Sequence, residues 1–244
     1  MANSWFRFKQ FIIEQDRCAM KVGTDGVLLG ALAGTFSGEP GLSVAGGNIL
    51  DIGTGTGLVA LMLAQRSAAQ IDAVEIEEAA AGQAAENVAR SDWAERIQVI
   101  HADFRDFYRS CDKKYDLIAS NPPYFRNSLK PVKEEKALAR HGSNEFYREL
   151  VNGSMRLLQP WGRCCLILPA GAEKDLLLMA GEENLYLQQG LTIRSKPGEK
   201  AIRRLLTFGK TKTQPLEKEL VIYEREGRYT QDFAALVKPY YLNL

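Results

Sequence analysis

Apolar and polar positions change in short blocks along the chain, and from residue 48 onward the blocks form a regular series. Asn48–Ile52, Ile71–Ile76, Ile97–His101, Tyr115–Ser120 and Arg163–Leu168 are short, largely apolar runs. Runs of roughly 4–8 such residues predict buried strands. Between them, Leu58–Ala68, Ala79–Arg90, Phe146–Leu158 and Ala172–Ala180 carry apolar residues at helical spacing, and the third is closed by Pro160. Leu185–Arg194 and Ala201–Phe208 predict two further strands, and Leu220–Tyr223 predicts edge structure. Strands that alternate with helices require an α/β fold, with a mainly parallel sheet covered on both faces. Ligands of such sheets bind beyond the carboxyl ends of the strands. The polar motifs of this chain fall at those ends.

The first 47 residues are less regular. Phe6–Ile13 alternates in part and predicts a short strand or hairpin arm. Thr24-Asp25 offers a helix cap before the apolar run Val27–Ala33, and 34–47 is a Gly-, Ser- and Pro-rich surface loop. The whole chain, 1–244, reads as one domain, with 1–47 as an N-terminal extension packing on the core.

Composition narrows the class. A chain of 244 residues with 45% hydrophobic and 25% charged residues can bury a full core. No apolar run approaches the ~20 residues of a membrane helix, and the N-terminus lacks a signal core, so a cytoplasmic protein is expected. Cys18, Cys111, Cys164 and Cys165 form no CxxC pair and are expected to be structural thiols rather than metal ligands. The net charge of +1 excludes nucleic-acid binding by bulk charge, but not by a local cluster.

Asp51-Ile52-Gly53-Thr54-Gly55-Thr56-Gly57 joins a predicted strand to a predicted helix. Glycines there let the backbone turn sharply and approach a ligand. The spacing is GxGxG, with Leu58 where the third glycine of a dinucleotide fingerprint would stand. It resembles motif I of class I methyltransferases, whose loop lies along the methionine part of S-adenosylmethionine. Thr54 belongs to that loop, and Asp51 either orients it or touches cofactor. Glu75 ends the next strand, where a carboxylate can accept from both ribose hydroxyls. Asp103 follows the third strand, placed to accept from the cofactor's adenine amino group, with Phe104 beside the ring.

The most specific stretch is Ser120-Asn121-Pro122-Pro123-Tyr124-Phe125, at the end of the fourth strand. Two prolines fix φ and remove donors, leaving carbonyls free to accept. An exocyclic amine of a base is a poor nucleophile because its lone pair is delocalised. If the Asn121 oxygen and the Pro122 carbonyl accept its two hydrogens, the nitrogen is freed to attack a methyl group. That is catalysis by positioning and electrostatic stabilisation. Tyr124 supplies a flat surface for a planar substrate, worth on the order of 1–3 kcal/mol if it stacks on a base. Phe125 either joins it or packs in the loop.

Further stretches narrow the resemblance. Phe6-Arg7-Phe8-Lys9-Gln10-Phe11, the run Asp16 to Ala31 that contains Lys21-Val22-Gly23-Thr24-Asp25-Gly26, and the ending Tyr229-Thr230-Gln231-Asp232-Phe233 resemble the bacterial valine-tRNA adenine-N6 methyltransferases. The resemblance covers nearly the whole chain. It implies a seven-stranded, Rossmann-like class I fold, S-adenosylmethionine as cofactor, and methylation of the adenosine 3′ of the anticodon. It also implies that Lys21, Thr24 and Asp25 border the methionine end of the cofactor. Two basic clusters supply the cations that RNA requires: Arg126 to Arg140, and Arg194 to Lys212 with Arg203 and Arg204 at its centre. Three other functions use similar motifs: methylation of a protein glutamine, methylation of a guanine amine in ribosomal RNA, and a non-catalytic module that binds cofactor and RNA. The basic clusters and the N-terminal stretch favour the tRNA.

Overall fold

The computed structural model describes residues 3–34, 47–122 and 133–243, the last stretch with side chains from residue 145 onward. In chain order the elements are β1 (Trp5–Arg7), β2 (Ile12–Glu14), α1 (Thr24–Leu32), β3 (Asn48–Ile52), α2 (Leu58–Arg66), β4 (Gln70–Glu75) and α3 (Glu78–Ala89). They continue with β5 (Ile97–His101), α4 (Phe104–Ser110), β6 (Tyr115–Ser120), α5 (Lys133–Leu157), β7 (Leu158–Pro169) and α6 (Glu173–Glu182). The last are β8 (Tyr186–Arg194), β9 (Ala201–Gly209), β10 (Leu216–Val221), β11 (Tyr223–Arg225), β12 (Arg228–Tyr229) and α7 (Gln231–Val237).

The central sheet has the order β10-β8-β9-β7-β6-β3-β4-β5. Every neighbouring pair is parallel except the two made by β9. Eight strands replace the expected seven. The addition is β10, which pairs with β8 from Leu216↔Gln189 to Val221↔Arg194. Its sequence, LEKELV, is polar and mostly exposed, so only its last residues looked like edge structure. β7 starts earlier than expected, at Leu158, through an irregularity in its pairing with β6.

Side chains alternate across the sheet. Ile49 packs with Val27, Leu28, Met62 and Phe233 on one face, whereas Leu50 packs with Tyr108, Leu150 and Leu176 on the other. The N-terminal residues belong to the first core. Phe8, Phe11 and Ile13 are buried in it, and the rings of Phe8 and Phe11 stack at 4.6 Å. α1 lies against α2 so closely that a Cβ on Gly30 would meet the Met62 Cβ at 2.8 Å. Arg66 of α2 closes the far end of α1 by donating to the carbonyls of Gly30 and Ala33.

At its start, α1 differs from expectation. The N-cap is Gly23, in extended conformation, and Thr24 and Asp25 lie in the first turn without capping it. The Asp25 side chain instead leaves the helix toward β9, where Arg203 meets it.

Candidate functional site

The loop after β3 follows from its glycines. Gly53, Gly55 and Gly57 have φ of +70°, +57° and +82°, a region that side chains with a Cβ rarely enter. The amides of Gly53 and Thr54 donate to the Val74 carbonyl at 2.9 and 3.1 Å, holding the loop against β4. Behind it, the buried Asp51 accepts from the Thr54 hydroxyl at 2.6 Å. Glu75 accepts from the amide of Gly55 at 2.8 Å and from that of Glu77 at 3.0 Å. Both carboxylates therefore organise the loop.

Two amides on α3 complete the support. Asn87 Nδ2 donates to the carbonyls of Thr56 and Glu14, both at 2.9 Å, and Gln83 joins Arg17 N to Asp16. They fasten the N-terminal segment to the glycine loop. The sequence signal was there, two amides at i and i+4 on the apolar side of an Ala-rich helix, and it was missed.

Burial pushes the Asp51 carboxyl up to about 7, against the opposing hydrogen bonds of Thr54 and the Ala60 amide. The folded carboxyl thus keeps its proton where the unfolded one, near ~3.9, has lost it. Its contribution to stability is fully present below about pH 4 and is lost as pH rises to about 7. Asp51→Asn should remove that loss. Denaturant titrations from pH 4 to 7 should show the wild type falling relative to the variant, by at most about 1.4 kcal/mol per pH unit. Parallel curves would show that Asp51 is ionised throughout.

A cavity of about 340 Å³ opens in front of the loop, at the lower end of the range for small-molecule sites. Gly53, Thr54 and Gly55 form one side, Lys21 and Asp25 another, and Asn121 a third. Asn121 follows β6, whose end is tied to β3 by the Ser120 hydroxyl donating to the Ile52 carbonyl at 2.8 Å. The Asn121 amide nitrogen lies 3.6 Å from Met20 Sδ. Pro122 is buried beside it. Pro123, Tyr124, Phe125 and Arg126 lie outside the described residues.

Among the other expected residues, Thr24 is exposed in the first turn of α1, and Gly57 is the N-cap of α2. Asp103 caps α4, accepting from Arg105 N at 2.8 Å and from Arg105 Nη2 at 2.9 Å, and that guanidinium holds its carboxyl below the usual range. Phe104 is placed otherwise than expected. Its ring is buried against Tyr108, at 5.4 Å, and over Gly153 of α5, because the first residue of α4 faces the core. Sequence reasoning missed Met20, Leu58 and Val59 in the cavity wall, and Ile76, which is 57% exposed directly after Glu75. An apolar residue directly after the acidic end of a strand is the signal that could have found Ile76.

In the cluster from Arg194 to Lys212, three of the arginines are held in ion pairs. Arg204 donates to both oxygens of Glu217 at 2.9 and 3.0 Å, and Arg194 to Glu219 at 2.7 Å. Arg203 Nε donates to both oxygens of Asp25 at 2.9 and 2.8 Å. The carboxylates come from β10 and α1, so a local charge count could not include them. Lys210 Nζ donates to the Leu158 carbonyl at 2.7 Å. Lys196 and Lys200, in the β8–β9 turn, are half-buried and exposed. In the other cluster, 126–132 and the side chains of 133–140 lie outside the described residues.

Cys164 and Cys165 point to opposite faces of β7, toward Ser154 at 3.4 Å and Thr207 at 3.5 Å. Among the described residues no group of three His, Cys, Asp or Glu side chains is arranged to hold a metal, and no helix is long and apolar enough to cross a membrane.

Comparison with known proteins agrees with this geometry. Residues 31–168 match the model of the methyltransferase small domain. The solved structure of Atu636 from Agrobacterium tumefaciens, described as a predicted O-methyltransferase, superimposes with a TM-score of 0.69 at 18% identity, covering 88% of this chain and 96% of that one. That likeness supports the class I methyltransferase fold. A tRNA1(Val) (adenine(37)-N6)-methyltransferase of Bacteroides thetaiotaomicron is 47% identical over 100% of both chains. Its counterpart in Trichodesmium erythraeum is 43% identical over 99% of both. With a fold, a glycine-cradled cavity and full-length likeness all in agreement, the chain belongs to the tRNA1(Val) (adenine(37)-N6)-methyltransferase family.

Proposed function

We propose that this protein transfers the methyl group of S-adenosylmethionine to the N6 amine of adenosine 37 of valine tRNA, in the cytoplasm. The observation that carries the reading is the position of Asn121, in the wall of the cavity that the left-handed Gly53 and Gly55 also line. The residues fit the cofactor. Bare glycine backbone allows close approach, Glu75 stands at the end of β4 for ribose hydroxyls, and Ile76 offers an apolar face for the adenine. Lys21 and Asp25 offer opposite charges to the zwitterionic end.

S-adenosylmethionine supplies an electrophilic methyl group on sulfonium. Asn121 and the Pro122 carbonyl accept the two amine hydrogens and turn the nitrogen lone pair out of the ring plane. As the C–S bond breaks and the N–C bond forms, the nitrogen gains positive charge, and its hydrogens become better donors to these oxygens. The acidified proton then passes to solvent, and no strong base is required. Tyr124 is assigned the stacking surface for the base, and Phe125 and Arg126 are assigned to substrate contact.

RNA affinity is assigned to cations outside the ion pairs described above. Alanine at both Lys196 and Lys200 should flatten the salt dependence of tRNA binding, by about one unit of slope per lost phosphate contact. Anisotropy titrations at several salt concentrations measure this, and an unchanged slope would show that the turn does not meet RNA. The reading as a whole is tested by mass spectrometry of tRNA nucleosides from cells with and without the gene. N6-methyladenosine at position 37 of valine tRNA should disappear with the gene. Its persistence would remove the reading.

A further inference from the structure

The wall of the cavity carries an ion pair whose two ends come from distant parts of the chain. Arg203 Nε donates to both oxygens of Asp25, at 2.9 and 2.8 Å, and its Nη1 donates to the Ile202 carbonyl at 2.8 Å. Both side chains are about four-fifths buried and both line the cavity. The backbone of Arg203 is fixed on both sides, opposite Pro169 of β7 and Ile193 of β9's other neighbour β8. Asp25 stands in the first turn of α1, whose N-cap contributes no side-chain hydrogen bond. One nitrogen shared by two oxygens fixes the direction in which the carboxylate points. Each oxygen keeps further acceptor capacity, which a cationic group in the cavity can use. Among the described residues, the charged groups in this wall are Lys21, Asp25 and Arg203.

We propose that Arg203 is a positioning residue for the amino-acid end of the cofactor: it holds Asp25 so that the carboxylate meets the α-ammonium group. The inference rests on the function proposed above, and it takes Arg203 away from RNA. The substitution that removes the positioning should act only on ligands that possess the α-ammonium group.

Calorimetric binding of S-adenosylhomocysteine and of methylthioadenosine, which lacks the amino-acid end, tests this on the full chain. Arg203→Gln should weaken S-adenosylhomocysteine on the order of tenfold, the scale of one charged hydrogen bond. Methylthioadenosine affinity and tRNA affinity should stay at the wild-type level. Arg203→Lys keeps the charge without the planar fork and should recover part of the loss. Asp25→Asn should weaken S-adenosylhomocysteine similarly, and the double variant Asp25→Asn/Arg203→Gln should be no weaker than Asp25→Asn alone. If Arg203→Gln does not fold by thermal melting, Asp25→Asn carries the same two-ligand comparison. Equal loss of both nucleosides, or loss of neither, would overturn the inference while leaving the proposed function standing. Failure of the wild type to bind either nucleoside would overturn both.

Discussion

Asn121→Ala is expected to slow methyl transfer about 10²–10³-fold, the scale of losing one preorganised partner of a developing charge. The Asn121 side chain lies in the cavity wall, and the backbone before it is fixed by β6 and by the hydrogen bond from Ser120 to Ile52. Its oxygen therefore needs little reorganisation at the moment of reaction, which is what makes such a group effective. In the proposed mechanism the amine hydrogens bind it more strongly in the transition state than in the ground state, so the loss should fall on turnover. Cofactor affinity should change far less. Asn121→Asp tests the same point from the other side. It keeps the size but replaces the amide NH₂ that faces Met20 Sδ, and single-turnover rates would separate that contact from the acceptor role. A wild-type rate in Asn121→Ala would remove the mechanism even if the cofactor still binds.

Glu75→Ala is expected to weaken S-adenosylmethionine about 10–100-fold, the combined scale of lost charged hydrogen bonds. Two effects act in one direction. The carboxylate that would accept from ribose is gone, and the amides of Gly55 and Glu77 lose their acceptor. That acceptor holds the middle of the loop at Gly55, whereas the bonds of Gly53 and Thr54 to Val74 and of Asn87 to Thr56 hold its two ends. Glu75→Gln separates the contributions in part, since its single neutral oxygen can accept from one of the two loop amides that Oε2 and Oε1 of the carboxylate now hold. Calorimetry should place Glu75→Gln between wild type and Glu75→Ala. Wild-type affinity in both variants would show that Glu75 serves neither ribose nor loop.

Much of this arrangement is legible in the chain itself, and the exceptions share a cause. Asn48–Ile52 and Tyr115–Ser120 coincide with β3 and β6, central strands that are buried on both faces and therefore largely apolar, and Ile97–His101 coincides with β5, an edge strand that Ile97, Val99 and Ile100 still mark. β10 escaped because a mostly exposed edge strand has no such constraint. The glycine loop was readable because its backbone conformation demands glycine locally, and the position of Asn121 was readable because it directly follows the apolar run of β6. The ion pairs of Arg203, Arg204 and Arg194 were not legible because their partners, Asp25, Glu217 and Glu219, are brought to them by the sheet and by α1. The core position of the Phe104 ring was not legible for a related reason. Position after a strand end suggested a ligand contact, whereas its direction is set by the helix it begins and by the space over Gly153.

The most direct measurement is single-turnover transfer of a labelled methyl group from S-adenosylmethionine to unmodified valine tRNA, with adenosine 37 present or replaced by guanosine. The label should appear as N6-methyladenosine in the first transcript and be absent from the second. Equal labelling of both transcripts, or label recovered in guanosine or in a protein glutamine, would contradict the proposed reaction.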